Sequence, residues 1–133
     1  MNTIEHIGIA VRDIEQAKHT FAQLFGTKFY KEETVESEGV TTVFFMVGEV
    51  KIELLQATSS DSPIAKFIDK RGEGIHHIAF DVDSVNEKAE SLKADGFRVL
   101  NDDARDGADN KLINFIHPKS THGVLVEICQ DKK

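Results

Sequence analysis

The stretch Gly74-Ile75-His76-His77-Ile78-Ala79-Phe80-Asp81-Val82 alternates as a half-buried strand does, is entered through Gly72 and Gly74, and carries histidine near its start. A fainter copy opens the chain: Ile4-Glu5-His6-Ile7-Gly8-Ile9-Ala10-Val11. At an offset of 71, His6 falls on His77, Ile7 on Ile78 and Val11 on Val82. A repeat of this length is one supersecondary unit used twice, and it decides the fold.

The match runs on past the first strand. Asp13-Ile14-Glu15-Gln16 and Ser84-Val85-Asn86-Glu87 both read as helix openings with a capping box, and the helices end at Gly26 and Gly96. Val50-Lys51-Ile52-Glu53-Leu54-Leu55 matches Val124-Leu125-Val126-Glu127-Ile128-Cys129 at an offset of 74. Phe45 and Phe115 lie 70 apart, and the longer turn 118–123 absorbs the drift. Each half therefore reads strand, helix, three strands. The expected fold is α+β: two βαβββ modules, each a curved sheet with one helix, enclosing a cleft between them. The whole chain, 1–133, is expected to be one domain, with pseudo-repeats 1–60 and 74–133 joined by a short helix over 62–72.

The ligand-type residues fall on equivalent places of this frame: His6 with His77, Glu53 with Glu127. Two imidazoles and two carboxylates suit a divalent first-row ion. Adjacent strand residues face opposite ways, so of His76 and His77 only one can enter a site, and the register selects His77. Glu53 and Glu127 each stand in an apolar strand, opposite in direction to their apolar neighbours, and a charge so placed needs a partner or a metal. A lone histidine or glutamate on a strand would ordinarily be a satisfied or wet-face residue. Recurrence in both halves is what points to metal.

Composition narrows the function. A net charge of −7 argues against nucleic acid, which demands a basic stripe. Basic residues gather at Lys66, Lys70 and Arg71 and again at Lys111 and Lys119, as a solvated face would also require. The N-terminus enters strand pattern by Ile4 without a signal-like run, and no stretch approaches membrane-spanning length. Cys129 is the single cysteine, which excludes an internal disulfide, fits a cytoplasmic location and reads as a buried structural thiol.

Between the motifs, the helix Ile14–Phe25 should pack Ile14, Ala17, Phe21 and Leu24 on its sheet. An edge strand is expected over 28–36, strong strands over 40–47 and 50–55, and a helix over 64–71 capped by Ser62-Pro63. In the second half the pattern predicts strands over 75–82, 97–100, 111–117 and 124–130, a helix over 85–95, a mobile loop over 101–110 and a frayed tail over 131–133.

The duplicated module with its His, Glu, His, Glu pattern resembles the vicinal oxygen chelate superfamily, which includes glyoxalase I, extradiol dioxygenases and bleomycin-resistance proteins. The blocks Asp61-Ser62-Pro63-Ile64-Ala65-Lys66-Phe67 and His117-Pro118-Lys119-Ser120 further resemble its methylmalonyl-CoA epimerases. The resemblance implies an acyl-CoA substrate, a homodimer, and a divalent ion held by His6, Glu53, His77 and Glu127. Cobalt is the family's usual metal, and zinc, nickel or manganese suit the same donors. It implies Glu127 as the base at the α-carbon. Thr42 stands where some epimerases place a second acid, after Gly39-Val40, so Glu53 or a water is expected to carry the opposite-face proton. Lys119, Ser120, Lys66 and Thr42 are the candidate substrate contacts. Two other functions fit the scaffold: a glyoxalase I-like lyase of a glutathione hemithioacetal, and a metal-free drug-binding module, which would have no need of four intact ligands.

Overall fold

The computed structural model describes residues 1–132, and of the expected tail Lys133 lies outside them. The elements are β1 (Ile4–Ala10), α1 (Ile14–Phe25), β2 (Lys31–Val35), β3 (Val40–Val47), β4 (Val50–Ala57), α2 (Pro63–Arg71), β5 (Gly74–Asp81), α3 (Val85–Ala94), β6 (Arg105–Asp106), β7 (Lys111–Ile116) and β8 (Val126–Asp131). The fold is α+β, with two βαβββ modules. Two compact units are present: one is His6–His76, the other Met1–Glu5 with the chain from His77 onward.

In the His6–His76 unit the strand order is β2-β3-β4-β1, antiparallel except for β4 with β1. One face of this sheet takes α1, where Ile14, Ala17, Phe21 and Phe25 pack on Val43, Phe45 and Leu54. Phe25 meets the Phe45 ring edge-on at 5.5 Å, whereas Leu24, expected in this stripe, is 70% exposed. Three helical turns from Ile14 arrive nearer residue 25 than 24, so the stripe passes to Phe25. The other face meets α2: Ile64, Phe67 and Ile68 cover Ala10, Val40 and Leu55. Ser62 caps α2 by accepting from the Ile64 and Ala65 amides.

The second unit repeats the plan with the order β5-β8-β7-β6. Here α3 sends Val85, Ala89 and Leu92 against Ile116 and Ile128. The backbone equivalences are close. Val11 donates to the Leu55 carbonyl and Val82 to that of Cys129, each at 2.9 Å. The amides of Ile14 and Val85, which open their helices, donate to the side-chain oxygens of Gln56 and Gln130 at 2.7 and 2.8 Å. Glu53 lies opposite Phe44 on β3, and Glu127 opposite Phe115 on β7. The true match of Phe115 is therefore Phe44 at the common offset of 71, not Phe45.

Three expectations for the second half are corrected. Residues 97–100 form no ladder strand: Val99 makes an isolated bridge to Ile116, and Phe97 turns into the α3 core. The short edge strand instead lies inside the stretch expected to be a mobile loop, as β6 paired to Leu112 and Ile113. The reason is polar. Buried Asn114 accepts from the Asn101 amide at 3.2 Å and donates to its carbonyl at 2.9 Å, while Asn86 accepts from the Ala104 amide at 2.9 Å. Those bonds bend the chain between 100 and 105 and return it to the sheet two residues wide. At the far end β8 continues through Asp131, and the Lys132 amide donates to Asn110, so 131–132 do not form a frayed tail.

Candidate metal centre

In the His6–His76 unit the parallel register of β1 and β4 sets Gly8 opposite Glu53. His6, two residues before Gly8, therefore faces the same side as the acid. Its Nδ1 lies 3.1 Å from Glu53 Oε2, and both residues are 4% exposed. In the second unit β5 and β8 set Ala79 opposite Glu127, with His77 two residues before it. His77 Nε2 lies 3.3 Å from Glu127 Oε1, again with both buried. His76 turns elsewhere, its ring edge-on to Phe67 of α2 at 5.0 Å, as strand alternation requires.

These pairs fit a divalent ion. Ligand bonds of about 2.0–2.2 Å place neighbouring donors on a tetrahedral or octahedral ion roughly 3.0–3.4 Å apart. The two N···O separations fall in that interval, and the donor types are those such an ion takes. Buried carboxylates need positive charge nearby, which a cation shared with neutral imidazole supplies. Gly8 and Ala79, the small residues across from each acid, leave the carboxylates uncrowded on that side.

Around each acid the same surroundings recur. Lys31 Nζ stands 5.4 Å from the Phe44 ring centre and the Arg105 guanidinium 5.9 Å from that of Phe115, cation–π contacts on register-matched rings. Phe115 also meets His77 edge-on at 5.9 Å. Beyond Glu127 on the same face, Cys129 is fully buried and its thiol is pushed well above the ordinary range, first by burial and then by the charges of Glu127 and Glu5. Its Sγ donates toward the Phe80 carbonyl at 3.6 Å.

The candidate substrate contacts divide. Lys66 is exposed on α2, and Lys119 is exposed in the short 3-10 turn after β7. Ser120 accepts from the Arg98 amide at 2.9 Å, which clamps that turn. Thr42 is fully buried on β3 and its Oγ1 has no hydrogen-bond partner among the described residues. Lys111, expected on a solvated face, is buried, paired with Asp131 and 3.8 Å from Glu5. Two polar residues that support both modules, Gln56 and Gln130, escaped the sequence reading, although the offset of 74 that matches the two glutamates matches them as well.

Known proteins share this fold. The profile of the Glyoxalase/Bleomycin resistance protein/Dioxygenase superfamily matches residues 5–115. The chain belongs to this superfamily. The uncharacterised protein YqjC of Bacillus subtilis is 41% identical over 132 residues, 99% of this chain and 94% of that protein. Methylmalonyl-CoA epimerase from Mycobacterium tuberculosis superposes with a TM-score of 0.93 at 34% identity, covering 98% of this chain and 89% of the other. A methylmalonyl-CoA epimerase in complex with methylmalonyl-CoA and NH4+ gives 0.94 at 34% identity, covering 98% and 95%. The chain is thus a superfamily member related to methylmalonyl-CoA epimerases. Among the described residues no helix is long and apolar enough to cross a membrane.

Proposed function

We propose that this chain is a metal-dependent methylmalonyl-CoA epimerase, in which His6, Glu53, His77 and Glu127 together hold one divalent cation. The observation that carries the reading is the twin His–Glu pair, buried at register-equivalent places in both modules. Relatedness to epimerases, one of them complexed with methylmalonyl-CoA, supports an acyl-CoA ligand. Cobalt is the ion the family resemblance favours.

The substrate carbon lies between a thioester and a carboxylate. Epimerisation breaks its C–H bond, leaves the electron pair as an enolate, and returns a proton to the opposite face. The bound ion supplies Lewis-acid stabilisation of the developing negative charge, worth several kcal/mol. Glu127 takes the α-proton on one side, a positioned carboxylate contributing about 10²–10⁴ in rate. Glu53 or a water beside it returns the proton on the other. Burial of both acids keeps bulk water from competing for the enolate. Lys66 and Lys119 are the proposed contacts for the phosphates of coenzyme A, with Ser120 positioning the turn that carries Lys119.

The test is incubation with methylmalonyl-CoA in deuterated water, with metal content measured on the same sample. Deuterium entry at the α-carbon and one ion per chain are expected. A protein that carries metal yet exchanges nothing, while isomerising a glutathione hemithioacetal, would transfer the reading to a glyoxalase I-like lyase.

A further inference from the structure

Arg105 holds a place that its own strand does not explain. β6 is two residues long, and Arg105 is exposed on it. Yet the chain is fixed on both sides of it. Before it, Asn114 accepts from the Asn101 amide and Asn86 from the Ala104 amide. After it, Gly107 donates to the Lys111 carbonyl at 3.0 Å, and a Cβ there would come within 2.8 Å of buried Ile113. Only glycine passes so close. What these contacts deliver is the Arg105 guanidinium over the Phe115 ring, 5.9 Å from its centre.

Phe115 links that cation to the donors. It is directly opposite Glu127 across β7 and β8, which sets their β-carbons about 4.5–5.5 Å apart. Its ring meets that of His77 edge-on at 5.9 Å. One aromatic side chain therefore flanks both members of the His77–Glu127 pair. The first module likewise sets Lys31 over Phe44, opposite Glu53, so the cation and ring recur with the donors. The last torsion of a histidine or phenylalanine side chain is soft, and neither ring plane is fixed by its own bond. An edge-to-face contact fixes one ring against the other, and a guanidinium over Phe115 fixes that one in turn. We infer that Phe115 is a positioning residue that holds the His77 imidazole in the plane from which it ligates the ion. Arg105 acts through Phe115, by clamping its ring. The inference rests on the metal reading for its ion.

Calorimetric titration of the metal-free protein with Co²⁺ tests it, and the sign of the effect separates clamping from charge. A cation near a divalent ion repels it, so by charge alone Arg105→Gln would tighten binding. By orientation it should weaken binding about 2- to 5-fold, as loss of an exposed cation–π contact does, and Arg105→Lys should recover most of that. Phe115→Leu should weaken it about 10-fold or more and alter the visible absorption of the bound ion, which reports the geometry of its donors. In the Phe115→Leu background Arg105→Gln should add nothing, because the ring it acts through is gone. Tighter or unchanged binding in Arg105→Gln would overturn the inference. So would unchanged binding in Phe115→Leu, or an equal further loss on combining the two. Arg105 is exposed, so its variants decide the clamp even where Phe115→Leu does not fold. No acyl-CoA enters the titration, and its outcome is independent of the deuterium-exchange test. Should the wild type bind no Co²⁺, the metal reading falls, and NMR of the metal-free protein decides the clamp. His77 ring signals moved and broadened in Arg105→Gln would uphold it; unmoved signals would end it.

Discussion

In the first module, α2 lays Ile64, Phe67 and Ile68 over Ala10, Val40 and Leu55. In the second, the matching places are Asp81, Lys111 and Cys129. Lys111 is buried against Asp131 and Glu5, and Asp81 accepts from the Asn2 side chain at 3.1 Å. One end of the site-bearing face is thus sealed by an apolar helix, its counterpart by ion pairs and the N-terminal segment. The His–Glu pair beside each end is the same. A duplicated module retains the residues whose chemistry is shared and lets the remainder follow whatever covers it, because packing is satisfied locally.

The comparison is most sharply broken by unequal loss in the two acids. Glu127→Gln should lower α-deuterium exchange by about 10³-fold or more, and Glu53→Gln by less, with both reducing bound metal measured by mass spectrometry. Equal losses would mean that the acids share the proton chemistry symmetrically; full activity in Glu53→Gln would remove it from that chemistry altogether. Dialysis against a chelator should abolish exchange and lower the melting temperature, both restored by Co²⁺.

Stability offers the next test. Phe45 and Ile116 occupy matched places on the helix-covered faces, opposite Ile52 and Val126. Phe45→Ala should cost about 3–5 kcal/mol and Ile116→Ala about 2–5 in urea unfolding. Near-zero cost at either would show that its module is not an equal part of the core.

Cys129 should separate the halves by pH. Its thiol is held above the ordinary value of 9.0, chiefly by burial. The unfolded chain therefore loses that proton first. The contribution is complete below about pH 9 and is lost as pH rises beyond it, by up to about 1.4 kcal/mol per pH unit. Cys129→Ala should remove this slope from the pH dependence of stability, while Leu55→Ala, at the matched place, should leave it. The smallest expected effect is at the helix openings. Gln56→Ala and Gln130→Ala should each cost about 1 kcal/mol, equally if the two clamps are equivalent.

Much of the site was legible because strand alternation and a fixed offset are visible along one dimension. His77 over His76 followed from parity together with the offset of 71 that pairs it with His6, and the His76 ring against Phe67 agrees. The helix caps at Asp13, Ser62 and Ser84 were readable for the same reason: each acts on amides two or three residues away. Leu24 and Phe25 differ by one residue, and coarse periodicity does not separate neighbours on a helix face. The edge strand was misplaced because Asn114 and Asn86 draw in amides 10 or more residues distant.

By itself the sequence determined the duplication, the order of elements and which four donors are mates of one another, since all of these are repeats of local pattern. Tertiary structure alone decided that Phe44 faces Glu53, that Lys111 is buried among acids, and that the Thr42 hydroxyl has no partner among the described residues. Register between strands and removal from water depend on atoms brought together from far along the chain, and no periodicity records them.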